Sequence, residues 1–547
     1  MNIGTIAPAR GTARAARNGR ATAWLVFVSI LCLHGVFVAT YPLNSRGGDS
    51  ANYYQMLVEG RSSLVHAGGY PFLVGLPFRR APFAAMAADA PWRFETILQI
   101  SQHGLLLGAL VVLFLFLRRT YGSLTASLAT LGLGLNQQLL GAASSTYPEW
   151  LQAVLLILAG CAAGHAYRHI SGSRKILWYC VSITFFAWCF LVKFNAAVLA
   201  VMYLAPAIAE RGTLLRKALC GVGCAAVAAG HIAVYQFAFH QPTTGTPRLT
   251  ADTGWVLLTR IQSVYGNELL PSSGLETKRW LALASALPAR YDVAGPGLFS
   301  HVGAVAPEVR APYRPTFQRI VSADDKFLDA WLREHPLPPN FNVGVSVIPV
   351  CYYVGLFEGN DLGVKVAMEA VVSRPRVYIA TVLRDVLAAV STQQRYPLYP
   401  LPDNMPAFGF AMASERADGR TQLTQHPQPW NVPYGYRAPV VWWSGVNAFA
   451  WMSRYRVPAP LVSSLIALAI LVAAVGSAVR RRIALEDGIA LTLGICLVTL
   501  VVASCMTLEF RWKELCLAMP LISTLAALGA TGPIRLGARL IHRIRRA

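Results

Sequence analysis

A chain of 547 residues with 55% hydrophobic and only 14% charged residues is too apolar for a water-soluble globule, in which roughly a quarter of residues carry charge. The mean hydropathy of +0.44 also excludes a disordered chain, since disorder needs polar, charge-rich sequence. The net charge is +22, from 48 Lys and Arg against 26 Asp and Glu, and its placement along the chain decides its meaning.

A membrane-spanning helix needs about 20 mostly apolar residues. The first such run, 22–40, follows Arg10, Arg14, Arg17 and Arg20. It exceeds the apolar core of a signal peptide, about 7–15 residues, and no small-x-small cleavage site follows it. It reads as an uncleaved first span. A polar loop, 41–94, comes next. Six more runs follow at 95–117, 123–143, 149–167, 176–192, 194–210 and 216–238. After a long interruption, 239–458, the last three are 459–479, 485–505 and 513–531.

Every second connection is basic: Arg118 and Arg119; Arg168, Arg174 and Lys175; Arg211, Arg216 and Lys217; Arg480, Arg481 and Arg482; and the tail with Arg535, Arg539, Arg543, Arg545 and Arg546. The positive-inside rule puts these loops and both termini in the cytoplasm. The basic excess is therefore a topology signal, and nucleic acid is not an expected partner. Loop 41–94 and region 239–458 then face the other side.

Region 239–458 is richer in Pro, Trp and charge than its flanks, as suits a water-exposed domain. Its best helical segments are 320–334, 359–373 and 376–393. Arg384 and Asp385 stand in the middle of the last. Charge at mid-bilayer is costly, so a helix on the interface or packed in the domain is preferred. Parity requires 376–393 and 437–452 to span together or not at all. The Pro-rich 394–440 reads as an ordered loop or lid.

The expected fold is an all-α polytopic membrane bundle of about ten transmembrane helices, twelve if both extra segments span, with a mixed external domain. Its parts are an N-terminal membrane domain 1–238, an external region 239–458 and C-terminal helices with a basic tail, 459–547.

Several chemistries are excluded. The eleven His are scattered, and there is no HExxH, paired CxxC or P-loop. These absences argue against a structural zinc site and ATP-driven chemistry. Nine of the ten Cys lie in or beside apolar runs, and Cys351 stands alone in the polar region, so no disulfide framework is expected. Asp324-Asp325 could imitate a metal pair but reads as a solvated helix face. Trp442, Trp443 and Trp451 read as an interfacial aromatic belt.

The informative stretch is 46–78. It runs Arg46-Gly-Gly-Asp49-Ser-Ala-Asn-Tyr53-Tyr54 and later His66-Ala-Gly-Gly69-Tyr70-Pro71. Asp49 or Ser50 suits the N-cap of a short helix. This pattern resembles the first external loop of the GT-C superfamily of glycosyltransferases, in the polyprenyl-phosphate-sugar-dependent branch that includes protein O-mannosyltransferases and lipid A aminoarabinose transferases. In those, an Asp after the first span precedes a Tyr-bearing helix and a turn containing Pro. His66 is displaced from that pattern, and no role is carried over to it.

Three further segments resemble the family in the expected order, 144–149, 191–195 and 509–512, and a fourth, 373–378, also resembles it. Ser144-Ser-Thr-Tyr-Pro148-Glu149 is similar to its second external loop, with an acidic residue at a helix start. Leu191-Val-Lys193-Phe-Asn195 resembles its basic break between two spans. Ser373-Arg374-Pro-Arg-Val-Tyr378 resembles a segment before a late helix. Glu509-Phe-Arg511-Trp512 resembles its Glu-x-Arg-Tyr segment, with Trp in place of Tyr.

The resemblance implies an inverting transferase whose active site faces the periplasm or cell exterior of a bacterial inner membrane. The donor would be a polyprenyl-phosphate sugar, and the acceptor a lipid, glycan or protein. Asp49 is the expected base or acceptor-orienting group. Glu149 would help the acceptor or join Asp49 in holding a divalent cation, Mg2+ or Mn2+. Lys193, Arg511 and Arg374 would bind the leaving phosphate. Tyr53, Tyr54, Tyr70 and Glu509 would line the substrate site. Six of these residues also have a plainer reading: Asp49 as a helix cap, Lys193 snorkelling from a helix end, Arg374 as a solvated loop residue, Glu149 as an N-terminal helix charge, Glu509–Arg511 as a structural ion pair. The rival classes are a transporter or flippase of lipid-linked sugars, and an O-antigen polymerase or ligase. A transporter is expected to show repeated halves, and no repeat is visible here.

Overall fold

The computed structural model describes residues 10–40, 43, 49–78, 86–87, 89–168, 172–199, 213–266, 274–287, 311–337, 350–351, 353–391, 413–415, 421–423, 459–480, 485–507 and 512–544. It is a bundle of long apolar helices with a helical region inserted before the last three. Helix α1 spans Arg10–Thr40, α2 Asp49–Glu59 and α3 Gly69–Phe78. Helix α4 (Pro91–Tyr121) starts with Pro91, whose fixed φ suits a first turn. It ends with Arg118 and Arg119, which offset its exposed carbonyls. Gly122, at φ +97°, then turns the chain into α5 (Ser123–Gly134).

After α6 (Gln137–Ala143) come α7 (Glu149–Arg168), α8 (Ser173–Val192), a 3-10 helix Phe194–Leu199 and α9 (Leu214–Tyr235). Helix α9 continues through a π turn, Gln236–His240, to Thr244. The inserted region holds α10 (Thr253–Tyr265), α11 (Leu275–Ser285), α12 (Arg314–Val321), α13 (Asp325–Glu334), α14 (Leu356–Ser373) and α15 (Pro375–Ser391). Two three-residue strands, β1 (Ala413–Glu415) and β2 (Thr421–Leu423), pair antiparallel. The chain closes with α16 (Ala459–Arg480), α17 (Leu485–Thr507) and α18 (Trp512–Ile544).

Among the described residues, 7 helices are long and apolar enough to cross a membrane, with shorter apolar helices at Ala21–Gly35, Gly69–Phe78 and Ser123–Gly134. The protein is a multi-pass membrane protein. Three expectations change in detail. The run 123–143 is two helices, because Asn136 interrupts it and caps the second by accepting from the Leu139 amide at 2.8 Å. The run 194–210 begins as a 3-10 helix after an extended Lys193, and its remainder lies outside the described residues. The segment 320–334 also divides: α12 ends at Val321, and Asp324 caps α13 by accepting from the Phe327 amide at 2.9 Å. That bond gives Asp324 a structural task.

Helix α15 is 17 residues long and falls short of the spanning set. Asp385 at its middle is paired with Arg260 at 2.8 Å. The segment 437–452 lies outside the described residues.

Helix ends group as the alternation of basic loops requires. On one side Tyr121 donates to the Glu486 carbonyl, and Arg535 lies over the Tyr121 ring. On the other, the Ala251 amide donates to the Leu64 carbonyl and Tyr378 donates to the Met506 carbonyl. One core runs through the bundle, with Leu98, Phe114, Trp150, Leu500 and Leu525 at its centre. Region 253–373 has its own, built on Leu258, Trp280, Phe317 and Leu328. Close packing of α16 on α18 depends on Gly529, where a Cβ would meet the Leu465 carbonyl oxygen at 1.9 Å. Small residues allow such backbone approach between membrane helices.

Candidate functional site

Three segments meet at the ends of the bundle away from the basic loops. The first is α2, the loop 60–68 and α3. Asp49 is the first residue of α2, and its side chain lies outside the described residues. Tyr53, Met56 and Leu57 form the buried stripe of this short helix. Tyr53 meets His66 at a tilt and Tyr70 edge-to-face, with centroids at 5.2 and 5.9 Å. Asn52 Nδ2 donates to His66 Nε2 at 3.0 Å. Tyr54 packs on Phe94. Tyr70 is fully buried and donates to Gln102 Oε1 at 2.6 Å. Gln102 in turn donates to the Ala143 and Ser145 carbonyls. Tyr70 therefore ties α3 to α4 and to the second segment, 144–152.

That second segment starts α7. Glu149 stands in its first turn, where a carboxylate favours the amide end. The third segment is the break after α8. Helix α3 reaches it directly, because Gly69 lies where a Cβ would sit 2.4 Å from the Leu191 carbonyl carbon.

Glu149 Oε1 and Lys193 Nζ form an ion pair at 2.5 Å. One turn along α7, Gln152 Nε2 donates to the Lys193 carbonyl and to Asn195 Oδ1, both at 2.9 Å. Gln152 thus holds the extended backbone at Lys193 and aims that side chain back at Glu149. Glu149 Oε2, Gln152 Oε1 and Asn195 Nδ2 are buried without a hydrogen-bond partner. Buried polar atoms rarely stay unpartnered, so this cluster is built to meet something polar. A divalent cation would suit Glu149 Oε2, although Lys193 occupies the other oxygen. Among the described residues no three His, Cys, Asp or Glu side chains cluster around a metal position.

The structure thus brings Tyr53, Tyr70, Glu149 and Lys193 to one end of the bundle, with Tyr54 beside them. Arg374 belongs to none of these three segments; it stands at the α14–α15 junction, where its carbonyl accepts from Tyr265 at 3.0 Å. Burial pushes the Tyr265 hydroxyl pKa up. Glu509 and Arg511 lie outside the described residues. Sequence reasoning gave no role to Gln152, to Asn195 or to the Arg260–Asp385 pair. The spacing Glu149-x-x-Gln152 on one helix face was the available signal for Gln152. Arg260 and Asp385 are far apart in the chain and gave none.

No family model matches this chain, and no curated protein matches it. Among solved structures it is similar to the archaeal oligosaccharyltransferase AglB from Archaeoglobus fulgidus, in complex with an inhibitory peptide and a dolichol-phosphate, at 12% identity and a TM-score of 0.40. That match covers 95% of this chain and 51% of AglB, so the chain spans about half its length. It is also similar to ArnT from Cupriavidus metallidurans, bound to undecaprenyl phosphate, at 14% identity and a TM-score of 0.30, covering 92% of this chain and 78% of ArnT. The apo form of ArnT gives 14% and 0.30 over 93% and 78%.

Proposed function

We propose that this protein is a GT-C-type glycosyltransferase that moves a sugar from a polyprenyl-phosphate donor to an acceptor hydroxyl on the outer face of the membrane. The observation that carries the reading is the meeting of the Tyr-bearing first loop with the Glu149–Lys193 pair. It unites three segments that resemble the family singly. The acceptor is a lipid, glycan or protein hydroxyl at the periplasmic face of a bacterial inner membrane, with both termini cytoplasmic.

The reaction is an inverting displacement. The acceptor oxygen attacks the anomeric carbon as the bond from that carbon to the phosphate oxygen breaks. Asp49 orients the hydroxyl and takes its proton. The lipid phosphate leaves as an anion, and fixed positive charge stabilises it. Lys193, with Arg511 and Arg374, supplies that charge. Tyr53, Tyr54, Tyr70 and Glu509 shape the site. A divalent cation, Mg2+ or Mn2+, would be held by Asp49 and by Glu149 Oε2, and would screen the phosphate charge.

The test is incubation of the purified protein with a panel of polyprenyl-phosphate sugars and acceptor lipids. The reading expects release of the lipid phosphate together with a glycosylated acceptor. Movement of intact donor across vesicles without release would make the protein a transporter.

A further inference from the structure

The π turn Gln236–His240 at the end of α9 has a specific consequence. On a regular α-helix, residues 235 and 240 would point about 140° apart. A π turn joins residue i to i+5 and puts them side by side. Tyr235 and His240 are both fully buried, and their rings lie 5.7 Å apart. Both reach the loop 60–68 that connects α2 to α3.

The hydrogen bonds there form one directed chain. His240 Nε2 lies 2.7 Å from the Arg248 carbonyl, which can only accept, so that nitrogen carries the proton. Nδ1 is then an acceptor, and Ser62 Oγ donates to it at 2.8 Å. Ser62 Oγ in turn accepts from the Tyr235 hydroxyl at 2.9 Å. The Tyr235 oxygen accepts from the Gly68 amide, also at 2.9 Å. The loop is gripped at two further points: the Ser62 amide donates to Thr243 Oγ1 at 3.0 Å, and the Leu64 carbonyl accepts from the Ala251 amide at 2.7 Å. Gly68 is required, because a Cβ there would lie 2.4 Å from Ser62 Oγ and 2.5 Å from the Tyr235 oxygen.

We propose that His240, with Tyr235 and Ser62, is a positioning latch that fixes the loop 60–68 and through it the first-loop half of the transfer site. The loop carries His66, which bonds Asn52 on α2 and packs on Tyr53. The register of α2, and so the place of Asp49, follows from it. The inference rests on the transferase reading for its effect on turnover, but the latch itself is independent of that reading.

The experiment uses the full chain in detergent at neutral pH and reads two quantities. Hydrogen exchange of the backbone amides of 60–68 reports the latch. Transfer kinetics report its consequence. His240→Leu removes both imidazole bonds, and it is expected to lose the exchange protection of Ser62 and Gly68 and to lower kcat about tenfold or more with KM changed little, since misplacement alone can cost that much. His240→Gln keeps one acceptor and one donor, and it is expected to restore both. Tyr235→Phe is expected to lose protection at Gly68, with α-helical content and expression unchanged. Retained protection in His240→Leu and Tyr235→Phe would overturn the latch. Lost protection with unchanged kcat, or a His240→Gln variant no better than His240→Leu, would overturn the positioning role. A wild-type protein that transfers nothing would sink the transferase reading and leave the exchange measurement to decide the latch.

Discussion

The Glu149 carboxylate is sealed in the bundle, its side chain 1% exposed, and it grips the Lys193 ammonium, 23% exposed, at 2.5 Å. The anion is inside and the cation stands at the mouth. Taking a carboxylate out of water is expensive unless it is paired, so Lys193 stabilises the buried end of α7. Lys193→Met should therefore destabilise the protein, by about 3 kcal/mol where the stranded charge stays buried. Glu149→Gln combined with Lys193→Met should recover most of that loss. Transfer should stay low in both if Lys193 binds the donor phosphate. Thermal unfolding in detergent, set beside turnover, checks this. A double variant with normal transfer would reduce the pair to a structural one.

Asp49 opens α2. Asp49→Asn keeps size and polarity and removes the charge. Loss of the favourable interaction with the helix start costs about 0.3–1 kcal/mol, while transfer should fall on the order of 10²-fold. Near-normal turnover in Asp49→Asn would leave Asp49 a helix-start residue only.

The proposed divalent cation would rest on the same two carboxylates. If Asp49 and Glu149 hold a cation, chelation should abolish transfer and Mg2+ or Mn2+ should restore it. Turnover unchanged by EDTA would remove the cation from the site.

Gly529 lies where α18 touches α16, with room for no side chain. Gly529→Val should force the helices apart and lower thermal stability by at least 1–3 kcal/mol, the usual cost of overpacking. A far-off control is Gly223, which has open space around it and should accept Ala with little change.

Within the inserted region, Lys278 is held between Asp325 and Asp329, each at 2.8 Å. The hydrogen bonds that Lys278 donates to these two carboxylates raise its pKa above the ordinary lysine value. A raised folded-state pKa means stability that is complete below the unfolded value, about 10.4, and is lost as pH rises through the folded value. Lys278→Met should thus melt earlier than wild type at neutral pH. The gap should close above the folded pKa. An equal gap at both pH values would show that packing, not charge, sets it.

Side assignment is testable on exposed positions of the same region. Cysteines placed at Arg319 and Lys326 should react with an impermeant reagent from outside, and one at Arg174 only after permeabilisation. The reverse pattern would invert the positive-inside reading.

Length, apolar runs and the spacing of basic loops determined the membrane class, the long helices α4, α7, α8, α9, α16, α17 and α18, and the insertion before the last three. Those features are local sums: about 20 apolar residues are a span wherever they occur. The break at Asn136 and the cap at Asp324 were equally local, yet hydropathy is blind to them because a single capping bond decides each. Glu149 and Lys193 could be singled out by residue type, but their pairing could not. It depends on α7 lying against α8 and on Gln152 holding the Lys193 carbonyl. The Ser62–Tyr235–His240 chain needed tertiary structure altogether. It joins residues more than 170 positions apart, and it requires a π turn that helical periodicity does not foresee, because the energy that favours it comes from partners on another segment.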